Sequence, residues 1–373
     1  MSLLLRRAYS SSAPLQSAYN IIYKQTNVNK IVQTFKKLTQ TSNFRRKTSF
    51  YEHTVQRLAN AKSFNLIEEI LEDQKKYDDI TDEGFAVRLI SLYGKAGMFD
   101  HAHKLFDEMP ELKCKRTVMS FNALLGACVS SKKFDKVDEF FRELPGKLSI
   151  KRDVVSYNNM IKALCTVGSF DSAVLLLDEM VKEGLKPELI TFNILLDAFY
   201  KKKGFLDGEK LWVLMEKYDV VPDIRSYNAR LYGLVSEKKI QEAVDLVQEM
   251  VSKGMQLDGF TYNILFDGLC RDGKHMEEVK RWYNEMMKTK CPPTRLTFAT
   301  LLTFACDNND FNFASRLCRA LLYRRLRLNR VSLQKVVDGL VKQSNIKEAE
   351  TLVRLGKGSE HSCYHNLKMP RLD

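Results

Sequence analysis

The stretch Val154-Val155-Ser156-Tyr157-Asn158-Asn159-Met160-Ile161 comes back, lightly reworded, at a fixed interval along the chain. It recurs as Ser120-Phe121-Asn122-Ala123-Leu124-Leu125, Thr191-Phe192-Asn193-Ile194-Leu195-Leu196, Ser226-Tyr227-Asn228-Ala229-Arg230-Leu231 and Thr261-Tyr262-Asn263-Ile264-Leu265-Phe266. Its asparagines stand at 122, 158, 193, 228 and 263, in steps of 36, 35, 35 and 35 residues. A period of this size marks a solenoid, whose units bury their apolar faces only against their neighbours. The length of 373 residues therefore sets a number of units rather than a number of globular domains.

Inside one unit, 154–188, Tyr157, Met160, Ile161 and Leu164 recur at helical spacing. After a break at Val167-Gly168-Ser169, the residues Ala173, Leu176, Leu177 and Met180 do so again, and Gly184 with Pro187 closes the second run. Each unit is thus a pair of short antiparallel helices, marginal alone and stable only when stacked. A small residue opens each second helix (Ala102, Ala173, Ala243, Ala314, Ala349) and lets the pair approach closely, while Gly208 replaces it once at a cost in helix propensity.

Counted so that the recurring asparagine is the fifth residue, units span 118–153, 154–188, 189–223, 224–258, 259–294 and 295–329. Weaker landmarks add 48–82 and 83–117 upstream and a partial unit, 330–356, downstream. Two units carry one extra residue, near Leu144-Pro145-Gly146-Lys147 and near His275-Met276, which a bulge or longer turn absorbs. The expected domains are a leader and flexible N-terminus over 1–40, a repeat array over 41–356 and a loose tail over 357–373. Ile31, Val32, Phe35 and Leu38 form an amphipathic segment expected to cap the array as a helix.

The chain carries 59 Lys+Arg against 46 Asp+Glu, a net charge of +13. Residues 1–47 hold nine of these cations and no acid, so the rest of the chain carries only +4. An Arg- and Ser-rich, acid-free start, Met1-Ser2-Leu3-Leu4-Leu5-Arg6-Arg7, is the composition of an organellar transit peptide. No apolar run approaches the roughly 18 residues of a membrane span, so no membrane partner is expected. Cys165, Cys270 and Cys306 share one register at the end of a first helix, where cysteine packs as a small apolar residue rather than in a disulfide framework. His361-Ser362-Cys363-Tyr364-His365 lacks a second ligand cluster with zinc spacing, and neither metal nor cofactor is expected. The chain has no Gly-rich phosphate loop, metal-protease helix or nucleophile elbow, so it reads as a non-enzyme without a small-molecule substrate.

Asparagine is a poor helix-interior residue because its amide competes for backbone hydrogen bonds, yet it follows an aromatic in five successive units. Helix caps are better supplied by the preceding Ser/Thr or by the Asp before it. Two readings of the asparagines remain. One is a structural ladder between units; the other is a row of amides along a concave groove, each offering a donor and an acceptor to the edge of an unpaired base. The last residue of each unit (Thr117, Asp153, Glu188, Asp223, Asp258, Thr294, Asn329) is either the next helix's N-cap, or a second contact to the same base, or both.

Tyr/Phe-Asn-x-Leu/Ile-Leu/Ile, the Leu105-Phe106-Asp107-Glu108-Met109 segment and Lys186-Pro187-Glu188 resemble the pentatricopeptide repeat in its uniform 35-residue form. The resemblance implies an all-α, right-handed α-solenoid superhelix of eight to nine helix-turn-helix repeats that binds single-stranded RNA, one nucleotide per repeat. It implies base selection by the fifth and last residues: Asn122 with Asp153, Asn193 with Asp223 and Asn228 with Asp258 as uridine-selecting pairs, Asn158 with Glu188 and Asn263 with Thr294 as pyrimidine-favouring ones. It implies base-sandwiching side chains at Met119, Val155, Ile190, Arg225, Phe260 and Leu296. Glu52, Val87, Ala299 and Gln334 depart from the pattern at the fifth position, so the implied target is a central pyrimidine tract, read in the direction of the protein chain. No deaminase-like His-x-Glu and Cys-x-x-Cys extension follows the repeats.

Phe50 to His53, Arg57 to Lys62, Ile67 to Tyr77, Leu144 to Ile150 and Tyr227 to Leu231 are similar to a group of land-plant mitochondrial proteins that are subunits of the small mitochondrial ribosomal subunit. The expected function is RNA binding in the mitochondrial matrix, in organellar translation, with rRNA or mRNA and small-subunit ribosomal proteins as partners. A free factor on a pyrimidine-rich transcript and a protein-interaction solenoid with a peptide in its groove are the alternatives. Modest charge favours a chain that shares its RNA contacts with protein neighbours; local basic clusters are Lys201-Lys202-Lys203 and Arg324-Arg325-Leu326-Arg327.

Overall fold

The computed structural model describes residues 25–327, 329–359 and 364–370, together with Ile22. Among them every regular element is a helix. The chain forms two compact units, one ending at Leu195 and one beginning at Leu196.

The first contains α1 (Val28–Thr39), α2 (Ser42–Arg45), α3 (Thr48–Asn60), α4 (Phe64–Glu72), α5 (Glu83–Lys95), α6 (Phe99–Glu108), α7 (Val118–Ser130), α8 (Phe134–Leu148), α9 (Val154–Val167) and α10 (Phe170–Lys182). The boundary falls inside α11 (Leu189–Ala198), which runs on as a π-helical turn over Phe199–Lys203. The second contains α12 (Phe205–Lys217), α13 (Ile224–Ser236), α14 (Ile240–Ser252), α15 (Gly259–Asp272), α16 (Met276–Lys288), α17 (Arg295–Asp307), α18 (Phe311–Tyr323), α19 (Arg330–Lys342) and α20 (Ile346–Lys357).

First helices start at 48, 83, 118, 154, 189, 224, 259, 295 and 330, and each second helix starts 16 residues later, or 17 after Gly259. Within each compact unit the first helices pack in chain order, α5 on α7 on α9 and α13 on α15 on α17 on α19, so they form one layer. The five alanines that open second helices are fully buried. Burial of side chains such as Tyr157, Ile161, Leu177 and Met180 supplies the stability that short helices lack, at about 1.5–3 kcal/mol each.

Hairpin geometry comes from left-handed residues at the fifteenth place of a unit: Lys62, Gly97, Lys132, Gly168, Lys238, Gly273, Asn309 and Ser344 all have positive φ. Only three are glycine, so most of these breaks carry no glycine to announce them. In the unit beginning at Leu189, the π turn takes the place of this break and the glycine, Gly204, comes one residue later. Tyr200 of that turn fills the space beside α12. A Cβ on Gly208 would lie 2.4 Å from its ring, so glycine there answers a steric demand rather than merely weakening the helix.

Three expectations are corrected. The extra residue near Pro145 lengthens α8 to 15 residues, ended by left-handed Ser149, instead of forming a bulge. The flexible N-terminus assigned to 1–40 includes α1, which is packed: Phe35 meets Tyr51 at 4.9 Å and Phe50 at 5.7 Å between ring centres, and Leu38 is only half-buried. The tail is not loose throughout, because Tyr364 and Leu367 are buried. The leader sequence before Ile22, and His361 and Cys363, lie outside the described residues.

Candidate functional site

Positions two and five of a first helix are three residues apart and share one face. Position five carries the amide, held in place by the next unit. Asn122 Nδ2 donates to Asp153 Oδ1 at 2.9 Å, and Ser156 Oγ donates to Asn122 Oδ1 at 2.6 Å. Asn228 repeats this with Asp258 Oδ1 (3.4 Å) and with the Thr261 hydroxyl (2.7 Å). Asn263 Oδ1 accepts from Thr297 Oγ1 at 2.8 Å, so its link runs to Thr297 rather than to Thr294. The structure thus contains the inter-unit ladder.

The ladder does not exhaust the groups. A primary amide has two N–H donors and two acceptor lone pairs, and these bonds use one of each. On the carboxylates, Asp153 Oδ1 accepts from Asn122 Nδ2 and Ser156 N (2.9 Å), with the Ser156 hydroxyl oxygen 3.1 Å away, which leaves Oδ2 available. Asp258 Oδ1 likewise accepts from Thr261 N at 2.8 Å, with Thr261 Oγ1 2.9 Å away.

Asp153, Asp223, Asp258 and Thr294 are the N-caps of α9, α13, α15 and α17. The Ser/Thr at position three closes capping boxes at Ser156, Ser226 and Thr297. The sequence assigned those hydroxyls to capping; the second task of Ser156, Thr261 and Thr297, reaching back to the amide of the preceding unit, was missed. A Ser or Thr two residues before every asparagine was the available signal. Asn193 and Asp223 belong to different compact units; Asn193 is half-buried and Asp223 caps its own helix through Arg225 N and Ser226 N, at 2.9 and 3.1 Å.

Asn158 differs from the rest. It is buried, at 8% exposure against 4% for Asn228, but its Oδ1 has no hydrogen-bond partner. Thr191 Oγ1 accepts from Glu188 N at 3.2 Å, and Glu188 itself is exposed. An unpaired buried carbonyl oxygen costs about 1–3 kcal/mol.

Position two is open to solvent although mostly apolar. Met119 is 53% exposed, Val155 51%, Ile190 59%, Phe260 53% and Leu296 62%; Arg225 is also exposed. The outer units lack this pairing. Glu52 binds Lys95 at 2.6 Å, Val87 offers no polar group, and Glu83 at the head of α5 instead receives Thr117 N (2.8 Å), Thr117 Oγ1 (2.9 Å) and Ser120 N (3.1 Å). Burial works against the charge of Glu83, but those donors outweigh it and hold its carboxyl below the usual range.

Burial pushes the Cys128 and Cys270 thiols up to about 12, so neither is a nucleophile. Cys165 and Cys306 are buried as the sequence implied, while Cys270 is half-buried. Among the described residues no His/Cys/Asp/Glu cluster could hold a metal, and no helix is long and apolar enough to cross a membrane. Lys201–Lys203 are exposed, with Lys201 paired to Asp197 at 2.5 Å.

Profiles described as "PPR repeat family" match residues 152–201 and 222–271, and profiles described as "PPR repeat" match 88–114, 119–147, 190–220 and 260–291. The chain is 54% identical over 179 residues to the small ribosomal subunit protein mS79 of Arabidopsis thaliana, a match covering 48% of this chain and 45% of that protein. The matched stretch thus spans less than half of that relative. It is 33% identical to the Arabidopsis small ribosomal subunit protein mL103, over 82% of this chain and 74% of the relative. It is 31% identical to a mitochondrial pentatricopeptide repeat-containing protein of the same plant, over 94% of this chain and 83% of that one.

Proposed function

Because the chain belongs to the pentatricopeptide repeat family, we propose that it is a non-catalytic protein of the mitochondrial matrix that binds single-stranded RNA and works in translation at the small ribosomal subunit. The array proper is residues 41–356, preceded by a leader. The observation that carries the RNA reading is the exposed side chain at position two, apolar at Met119, Val155, Ile190 and Phe260, beside the amide at position five of the same unit. Scattered surface apolar residues need no explanation, but one register repeated unit after unit does. A base seated between two such side chains covers them and presents its polar edge to the amide and the cap carboxylate.

The base is a pyrimidine. The remaining N–H of Asn122 or Asn228 donates to a ring carbonyl, and the second oxygen of Asp153 or Asp258 accepts from the N3–H of uracil. Adenine offers neither a carbonyl nor a ring N–H on that edge; guanine offers both, O6 beside N1–H, but on a larger ring. The ribosomal assignment is supported by the relatives and by a charge of only +4 outside the first 47 residues, little for a lone tight binder.

Two measurements test this. The full chain binds oligouridylate more tightly than oligoadenylate, and in mitochondrial lysate it sediments with small-subunit rRNA through moderate salt. Equal affinity for the two homopolymers removes the base reading; migration free of the ribosomal subunit removes the ribosomal one and leaves a free transcript factor. Failure to crosslink to RNA, together with capture of peptide, makes it a protein-binding solenoid.

A further inference from the structure

Gln334 stands at position five of the last unit and carries the same amide as the asparagines, one methylene longer. Its edge is already occupied. Nε2 donates to the Lys368 carbonyl at 2.8 Å, and Oε1 accepts from Lys368 N at 3.0 Å. The second N–H of the amide goes to Asp338 Oδ1, also at 2.8 Å. One peptide residue thus supplies the acceptor and donor that a base edge would supply, and Gln334 has no donor left.

The segment that places Lys368 there is anchored. Tyr364 and Leu367 are 0% and 1% exposed, and Leu367 fills the space beside Gly356, where a Cβ would come within 2.4 Å of its Cδ1. His365 Nε2 lies 3.2 Å from the Ser359 carbonyl. The unit before it offers only the methyl group of Ala299 at position five, and its last residue, Asn329, spends its side-chain oxygen on Val331 N at 3.0 Å.

We propose that residues 364–368 terminate the RNA track: the backbone of Lys368 takes the place of a base on Gln334, so the strand is read no further than the amide of Asn263. The tail is a boundary that fixes site length. It rests on the RNA reading above, and it adds that the chain itself covers the terminal unit.

The experiment uses the full chain with oligouridylates of increasing length, measuring affinity and the protected tract. Gln334→Ala leaves affinity within about two-fold of the native chain, because that amide meets no base. Asn228→Ala, at a reading position, weakens it clearly. Leu367→Asp frees the tail and lengthens the protected tract by about one or two nucleotides, at one base per repeat. A loss in Gln334→Ala as large as in Asn228→Ala overturns the boundary, as does an unchanged tract in a folded Leu367→Asp chain. A native chain that binds no oligouridylate removes the RNA reading, and the boundary with it; binding that responds to Gln334 removes the boundary alone.

Discussion

Replacing Gly208 by alanine sets two physical effects against each other with opposite signs. Taken from the sequence, glycine inside α12 costs about 1 kcal/mol of helix propensity, so alanine should stabilise by that amount. The structure reverses the sign. The new methyl would sit 2.4 Å from Cδ1 and Cε1 of Tyr200 and 2.8 Å from Cζ. Carbon atoms pack at about 3.5–4.0 Å, so the ring must withdraw by about 1 Å. It has little room to do so. The same ring lies against Gly233, where a Cβ would come within 2.5 Å of Cδ1. Its hydroxyl donates to Glu209, which Arg230 holds at 2.9 and 2.6 Å, and Arg230 is stacked 4.7 Å over Trp212. Overpacking of this kind costs about 2 kcal/mol, and after the propensity gain the net loss is about 1 kcal/mol. With Tyr200→Ala as background the obstruction is gone, and Gly208→Ala stabilises by about 1 kcal/mol. Urea midpoints followed by circular dichroism for the four chains of the cycle give the interaction energy directly. Stabilisation by Gly208→Ala in the native background, or a zero interaction energy, would refute the steric account.

Three further outcomes follow from the site. Phe260→Ala leaves the thermal midpoint within error, since the ring is 53% exposed, but loses about 1–3 kcal/mol of oligouridylate affinity if the ring stacks on a base; filter binding at fixed salt decides it. Asn228→Ala destabilises by about 1 kcal/mol more than Asn158→Ala, because Asn228 Oδ1 accepts the Thr261 hydroxyl whereas Asn158 Oδ1 accepts nothing; both weaken RNA binding, and equal stability losses would contradict the orphaned oxygen. Glu83→Gln lowers stability at neutral pH. The native carboxyl titrates below its unfolded value, so its contribution is present above that value and is lost as pH falls through the folded pKa; the two chains therefore converge in acid, and a gap that stays constant from neutral to acid pH would argue against the depressed carboxyl.

The period, the two helices per unit and the small residue between them were legible because each is a short-range demand restated in every unit. Tyr157, Ile161 and Leu177 are buried because helical spacing left them no other face. The left-handed breaks were legible only where glycine marks them, as at Gly168; at Lys62, Lys132 and Lys238 the hairpin imposes the same backbone on a residue that does not prefer it. The amide row was legible as a row, yet whether it joins units or faces a ligand depends on Ser156 and Thr261 reaching back across the unit boundary. Spacing alone cannot distinguish such a reach from a cap, because one hydroxyl does both. The cover on Gln334 was illegible for another reason. It pairs a side chain with backbone 34 residues away, and backbone atoms are the same in every sequence, so no residue type at 368 announces the contact. The same logic bounds what the fifth position can say about a target: an amide would specify a base only where the fold leaves its edge open, and at Gln334 the Lys368 backbone covers that edge.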